Sequence, residues 1–229
     1  MASNSTWQFS PLGDSAIVLS LPARIDPDIN ARLHAMADWL RQSKAPITDL
    51  VPAYHTLTVF YDASATDFEA MCELLTKAES ASANASFATR EIELPVCYDL
   101  SLAPDLPELA AYCRLSIADV IAIHSNANYR VYFLGFKPGF AYLGGLDARL
   151  NMPRKATPRL SVPTGAVGIG GEQTAVYPCM TPGGWQIIGR CPTALFDMNR
   201  SPPSLMQAGD NVRFRAISLD DFHALGGIL

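Results

Sequence analysis

The residue types able to do chemistry crowd into one stretch of this 229-residue chain, from Tyr129 to Asp197. Eleven of its 15 Gly and seven of its 17 Pro lie between Val131 and Arg200, interleaved with Tyr, Trp, Phe, Arg, Gln and Thr. Glycine allows positive φ and close approach of other groups, and proline stiffens turns. The stretch therefore reads as a shaped surface of loops on short strands, where binding and catalysis concentrate. The general catalytic signatures are absent. No G-x-x-x-x-G-K-S/T occurs, so Gly168-Ile169-Gly170-Gly171 is not a Walker loop. There is no G-x-S-x-G elbow and no H-E-x-x-H pair, and His34, His55, His124 and His223 are scattered. Cys179 and Cys191 remain as nucleophiles by type, but each adjoins a proline and has no base nearby in sequence.

The elements that must position this stretch begin with alternating strand and helix signals. Ala16-Ile17-Val18-Leu19 is a short buried strand. Asp26 before Pro27 is a helix start, and Ile29, Leu33, Met36, Ala37 and Leu40 form one apolar face. Leu50-Val51 and Leu57 to Tyr61 are strands flanking a turn at Pro52-Ala53. Thr66 with Glu69 matches a capping box, ahead of Phe68, Met71, Leu75 and Ala78 on a second helix. Ile92, Leu94 and Val96 alternate as a strand. The order βαββαβ predicts a ferredoxin-like α/β domain over residues 1–88, with the polar run 80–86 as a flexible connection. Beyond it, a short helix from Pro104 through Tyr112 and one capped by Ser116 and Asp119 precede many short strands. The chain closes with a strand at Asn211–Arg215 and a short helix capped at Ser218. That pattern predicts a β-barrel domain over 89–229 in an α+β protein.

Composition narrows the class. A formal charge of -5 and a pI near 5.3 exclude the basic stripe that nucleic-acid binding needs. The N-terminus lacks the basic and apolar regions of a signal peptide, and no apolar run approaches a membrane span. Five Cys without a C-x-x-C pair read as reduced thiols, and a cytoplasmic location is expected.

The spacing of particular motifs supplies a resemblance. These are Leu134 to Leu146 (LGFKPGFAYLGGL), Pro153-Arg154, Pro158-Arg159, Val162-Pro163, Val167-Gly168-Ile169, Gln173-Thr174, Tyr177-Pro178 and Pro182 to Arg190 (PGGWQIIGR). Val51 to Tyr54, Tyr61-Asp62 and Ala208 to Phe214 add to them. Over nearly the whole chain the sequence resembles the 5-oxoprolinase B-subunit family, also called KipI or allophanate hydrolase subunit 1. It departs from the family pattern at Ala166, Ala175 and Thr181, where Ser, Gly and Ser are usual.

The resemblance implies a cyclophilin-like C-terminal barrel behind a smaller α/β domain. It also implies work alongside a homologous, KipA-like C-subunit and an A-subunit of 5-oxoprolinase, which together open 5-oxoproline to L-glutamate with ATP and Mg²⁺. Two alternatives come with the family: inhibition of a sensor histidine kinase, and the carboxyltransferase part of urea carboxylase. An unstrained lactam is a poor electrophile, so phosphorylating its oxygen calls for cations or N–H clamps. On that basis His124, Arg159 and Arg190 are the catalytic candidates. Gln173, Thr174, Tyr177, Gly183, Gly184 and Trp185 are candidates for the substrate, and Gly168, Gly170, Gly171 and Lys137 for the nucleotide. Each also has a purely structural reading. His124 is then a satisfied core histidine, and the arginines hold loops through carboxylates. The aromatics pack the barrel wall or an interface, and the glycines only turn the chain. No metal ligand set is expected.

Overall fold

Asp26 fixes where the first helix starts: its carboxylate accepts from the N–H groups of Asp28 and Ile29 at 2.9 and 3.1 Å, with Pro27 in the first turn. The computed structural model describes residues 7–82 and 89–228, so part of the polar run 80–86 lies outside the described residues. The chain divides into two compact units, 1–88 and 89–229.

The first unit contains β1 (Gln8–Pro11), β2 (Ala16–Ser20), α1 (Pro27–Gln42), β3 (Ile47–Pro52), β4 (Thr56–Tyr61) and α2 (Phe68–Ser82). Its antiparallel sheet runs β1-β2-β4-β3. One face, carrying Ile17, Leu19, Leu57 and Val59, meets Leu33, Met36 and Leu40 of α1 and Met71 and Leu75 of α2 in a dry core. Burying each such side chain contributes about 1.5–3 kcal/mol before chain entropy is counted. Two expectations change here. The cap of α2 is Asp67, which accepts from Ala70 N–H at 2.9 Å, rather than a Thr66–Glu69 box. The edge of the sheet beside β2 is β1, where the βαββαβ reading put residues 92–96. Alternation at Ile92, Leu94 and Val96 correctly shows a strand, but alternation does not say which sheet it joins.

That strand is β5 (Glu91–Cys97), and it belongs to the second unit. It is followed by α3 (Leu106–Cys113), α4 (Ile117–Asn126), β6 (Tyr129–Leu134), β7 (Ala141–Gly144) and β8 (Arg159–Val162). Then come β9 (Ala166–Gly170), β10 (Gln173–Val176), β11 (Thr181–Gly183), β12 (Gln186–Arg190), β13 (Asn211–Ile217) and α5 (Leu219–Ala224). Seven strands close into a barrel in the order β10-β7-β6-β13-β5-β12-β9. β5 lies parallel to β13 over seven register pairs, from Asn211↔Glu91 to Ile217↔Cys97. Val131, Leu143, Val167, Ile169, Ile188 and Phe214 fill the interior together with Leu106 and Val120 of α3 and α4. A separate two-stranded sheet, β8 with β11, covers a smaller apolar layer that includes Phe140, Val162, Ala175, Tyr177, Trp185 and Ile187. Among the described residues no helix is long and apolar enough to cross a membrane.

Candidate functional site: an aromatic cavity on the barrel

The cavity starts from two missing side chains. Gly168 and Gly170 lie inside β9, and a Cβ on Gly170 would stand 2.8 Å from the Trp185 indole. A Cβ on Gly168 would stand 3.1 Å from that of Trp185. The strand is thus a flat floor on which the indole rests, only 5% exposed. Phe140 meets Trp185 edge-on at 5.9 Å between centroids, Tyr142 at 6.4 Å, and Phe140 also meets Tyr177 at 5.4 Å. Gly183 is required by the same packing, because a Cβ there would fall 2.6 Å from the Tyr177 hydroxyl oxygen.

These rings enclose a cavity of about 300 Å³, completed by Phe136, Arg154, Lys155 and the Pro158, Pro182 and Gly184 loops. Phe136 reaches it from the β6–β7 turn, where it takes φ +66 and stays 57% exposed. The Arg154 guanidinium lies 5.5 Å from the Trp185 ring centroid and has no carboxylate partner among the described residues. Burial raises the pKa of the Tyr177 and Tyr142 phenols, with Arg154 pulling the other way in both. The arrangement is an apolar slot with hydroxyls in its wall and one unpaired cation at its rim. That is a place for a small, flat, anionic molecule.

The cavity wall is held by Asp105, just ahead of α3. Its Oδ1 accepts from Arg159 Nη2 at 2.6 Å and faces Lys155 Nζ at 3.0 Å, and its Oδ2 accepts from the Ile187 N–H at 2.6 Å. Burial works against the charged carboxylate, but these donors outweigh it and hold the pKa below the usual value. Lys155 N–H also donates to the Gly184 carbonyl at 2.6 Å. Arg159 therefore ties the 153–159 loop to the barrel, which is its structural reading.

The remaining candidates disperse. His124 is fully buried in the barrel and stacks on Phe214 at 4.6 Å. Thr174 gives its hydroxyl proton to the Gly168 carbonyl, so His124 Nε2 donates to Thr174 Oγ1 at 3.0 Å. Nδ1 then accepts from the Tyr98 hydroxyl at 2.7 Å. Desolvation holds the His124 pKa down to about 3. With both ring nitrogens committed inside the core, His124 and Thr174 have no face toward a substrate. β9 is paired on both edges, so the Gly168 and Gly170 amides belong to its ladders. The Gly171 N–H donates to the Met152 carbonyl at 2.8 Å, so this run is no phosphate nest. Lys137 is exposed on the β6–β7 turn outside the cavity lining. Gln173 begins β10, with its Oε1 buried and unpaired. Arg190 lines a different cavity. Of the candidates, Tyr177, Gly183, Gly184 and Trp185 come together. Arg154, Phe136, Phe140 and Tyr142 join them, and sequence reasoning missed all four. Arg154 stands in one of the motifs, but nothing local distinguishes a free arginine from a paired one. Among the described residues no cluster of three or more His, Cys, Asp or Glu could hold a metal.

The family model for the carboxyltransferase domain, subdomain C and D, matches residues 7–206. The chain is 42% identical to the 5-oxoprolinase B-subunit of Bacillus subtilis (strain 168), across 95% of this chain and 96% of that protein. The chain belongs to the 5-oxoprolinase B-subunit family. In the crystal structure of TTHA0988 the family's fold recurs with a TM-score of 0.79 and 36% identity over 90% of this chain. This chain spans only 40% of that one. K. lactis urea amidolyase superposes with a TM-score of 0.80 over 98% of this chain and 16% of its own. At 20% identity that likeness shows the fold alone.

Proposed function

We propose that this chain is one component of an ATP-dependent 5-oxoprolinase that opens 5-oxo-L-proline to L-glutamate, with the aromatic cavity as its share of a composite site. The observation that carries the reading is the 42% identity, end to end, with a protein named as the B-subunit of 5-oxoprolinase. The cavity's chemistry agrees with it. A five-membered lactam is flat and apolar on both faces, which suits a slot between Trp185, Phe140 and Tyr142. Its carboxylate matches the unpaired Arg154 over the indole, and the Tyr177 and Tyr142 hydroxyls lie in reach of a polar ring edge.

ATP, with Mg²⁺, would supply the phosphoryl group that makes the lactam carbon attackable. The residues that sequence reasoning assigns to it do not fit: the glycine amides are spent in the barrel and Lys137 lies outside the cavity. We therefore place the nucleotide on the partners, the homologous KipA-like C-subunit and the A-subunit, and give this chain the binding and orientation of the lactam. On its own it is inactive, and it works in the cytoplasm. We read the barrel as cyclophilin-like and the first unit as a ferredoxin-like variant whose fourth strand is replaced by β1. Neither architecture carries the activity, which resides in the site.

The test is ATP-dependent glutamate formation from 5-oxoproline with this chain and both partners, leaving out one component at a time. Turnover that disappears when this chain is omitted supports the reading. Turnover that persists without it, or no turnover in any well-folded mixture, overturns it.

A further inference from the structure

Arg190 is left out of the aromatic cavity, yet its surroundings are just as closely fitted. A Cβ on Gly165, which has φ +78, would fall 2.2 Å from the Cys191 carbonyl oxygen and 3.3 Å from Arg190 Cγ. Only glycine lets the 163–165 loop close round the arginine stem. The Gly165 N–H donates to the Tyr177 carbonyl at 2.7 Å and the Cys191 N–H to the Gly165 carbonyl at 2.8 Å, which fixes that loop. Beside it opens a second cavity of about 360 Å³, walled by Thr164, Met180, Thr193 and the 226–228 segment.

The guanidinium's donors are under-used. Nη1 donates to the Ile228 carbonyl at 2.8 Å, and Nε is buried with no acceptor among the described residues. Among the described residues no carboxylate pairs with Arg190, and none lines its cavity. In this it resembles Arg154 and differs from Arg159, Arg90, Arg149 and Arg215, which have Asp105, Asp210, Asp147 and Glu93. Desolvation also works against the cation, lowering its pKa. A half-buried cation with free donors and no counter-ion is stabilised by an anion that enters beside it.

The geometry points to a second ligand site: the Arg190 cavity binds a small oxyanion, a carboxylate or a phosphate, on the guanidinium fork, with Thr164 and Thr193 in its wall. It shares no lining residue with the aromatic cavity. The two lie at opposite ends of the β8–β11 sheet. Pro158 and Gly183 face the aromatic cavity, and Pro163 and Met180 the Arg190 cavity. An anion held at Arg190 thus braces the same sheet that walls the first site.

The experiment is an ¹H–¹⁵N NMR titration of the full chain with inorganic phosphate and, separately, with acetate. The Arg190 Nε–H and the amides of Thr164 and Thr193 are expected to shift saturably, and Arg190→Gln to weaken binding about tenfold or more. Saturation by phosphate alone supports the site and assigns it to phosphoryl ligands, while saturation by both supports it as a general carboxylate and phosphate site. No saturable shift at these positions with either anion, or equal affinity in the variant, overturns it. Should the variant not fold, the wild-type titration still decides.

Discussion

Replacing Asp105 by Asn is the sharpest structural test of how the aromatic cavity is held. The carboxylate is only 4% exposed and serves Arg159, Lys155 and the Ile187 N–H at once. An amide keeps one acceptor but places an NH₂ against a cation or an amide N–H, leaving positive charge without its partner. Breaking a fully buried pair costs about 3–5 kcal/mol. Arg159 and Lys155 keep 30% and 21% of their side-chain surface, so water recovers part of that and about 2–4 kcal/mol is expected. Trp185 is the one tryptophan of the barrel unit, so in a Trp7→Phe, Trp39→Phe background its fluorescence follows that unit in urea. The pH dependence checks the sign. The folded pKa of Asp105 lies below its unfolded value of about 3.9, so its contribution is present above pH ~4 and is lost as pH falls through the folded value. Asp105→Asn removes that acid-side loss along with the stability. A variant within about 0.5 kcal/mol of the parent at pH 7 would refute the claim that Asp105 anchors the 153–159 loop.

Further expectations follow from the packing. Gly170→Ala forces the Trp185 indole off β9, so a loss of about 1–3 kcal/mol and a red-shifted Trp185 emission are expected; an unchanged spectrum would mean the indole does not rest there. His124 is held neutral with a pKa of about 3 against an unfolded value near 6.5, so the unfolded chain gains its proton first as pH falls. Its share of stability is complete above pH ~6.5 and declines by up to about 1.4 kcal/mol per unit on the way to pH 3. His124→Gln is expected to flatten that slope while weakening the fold at pH 7, measured by urea unfolding at several pH values, and an unchanged slope would contradict it. In the folded chain the buried thiols of Cys97 and Cys191, both with raised pKa, are expected to resist iodoacetamide at pH 8; rapid labelling of either would contradict their placement.

What was legible in the sequence was what local rules decide. Asp26-Pro27 announces a helix start within three residues, and the 3-and-4 spacing from Ile29 to Leu40 announces its buried face. The alternation at Leu94 and Val96 gives a strand, yet its partners are β12 and β13, far along the chain, and no local signal names them. The glycines of β9 were visible as an unusual cluster, but their reason is the Trp185 ring 15 positions beyond Gly170. Likewise Arg159 and Arg154 look alike in sequence. They are separated by a carboxylate at Asp105, 54 positions before Arg159, which occupies one and leaves the other free. His124 on an apolar helix was open to either reading, and Tyr98 and Thr174 decide for the core.

The most direct test of the central claim is steady-state kinetics of the reconstituted complex carrying Arg154→Gln in this chain. If Arg154 receives the lactam's carboxylate, KM for 5-oxoproline rises about 10- to 100-fold with kcat nearly unchanged, the loss of one charged hydrogen bond made equally in ground and transition states. An unchanged KM in a folded, assembled variant would contradict the placement of the substrate in the aromatic cavity.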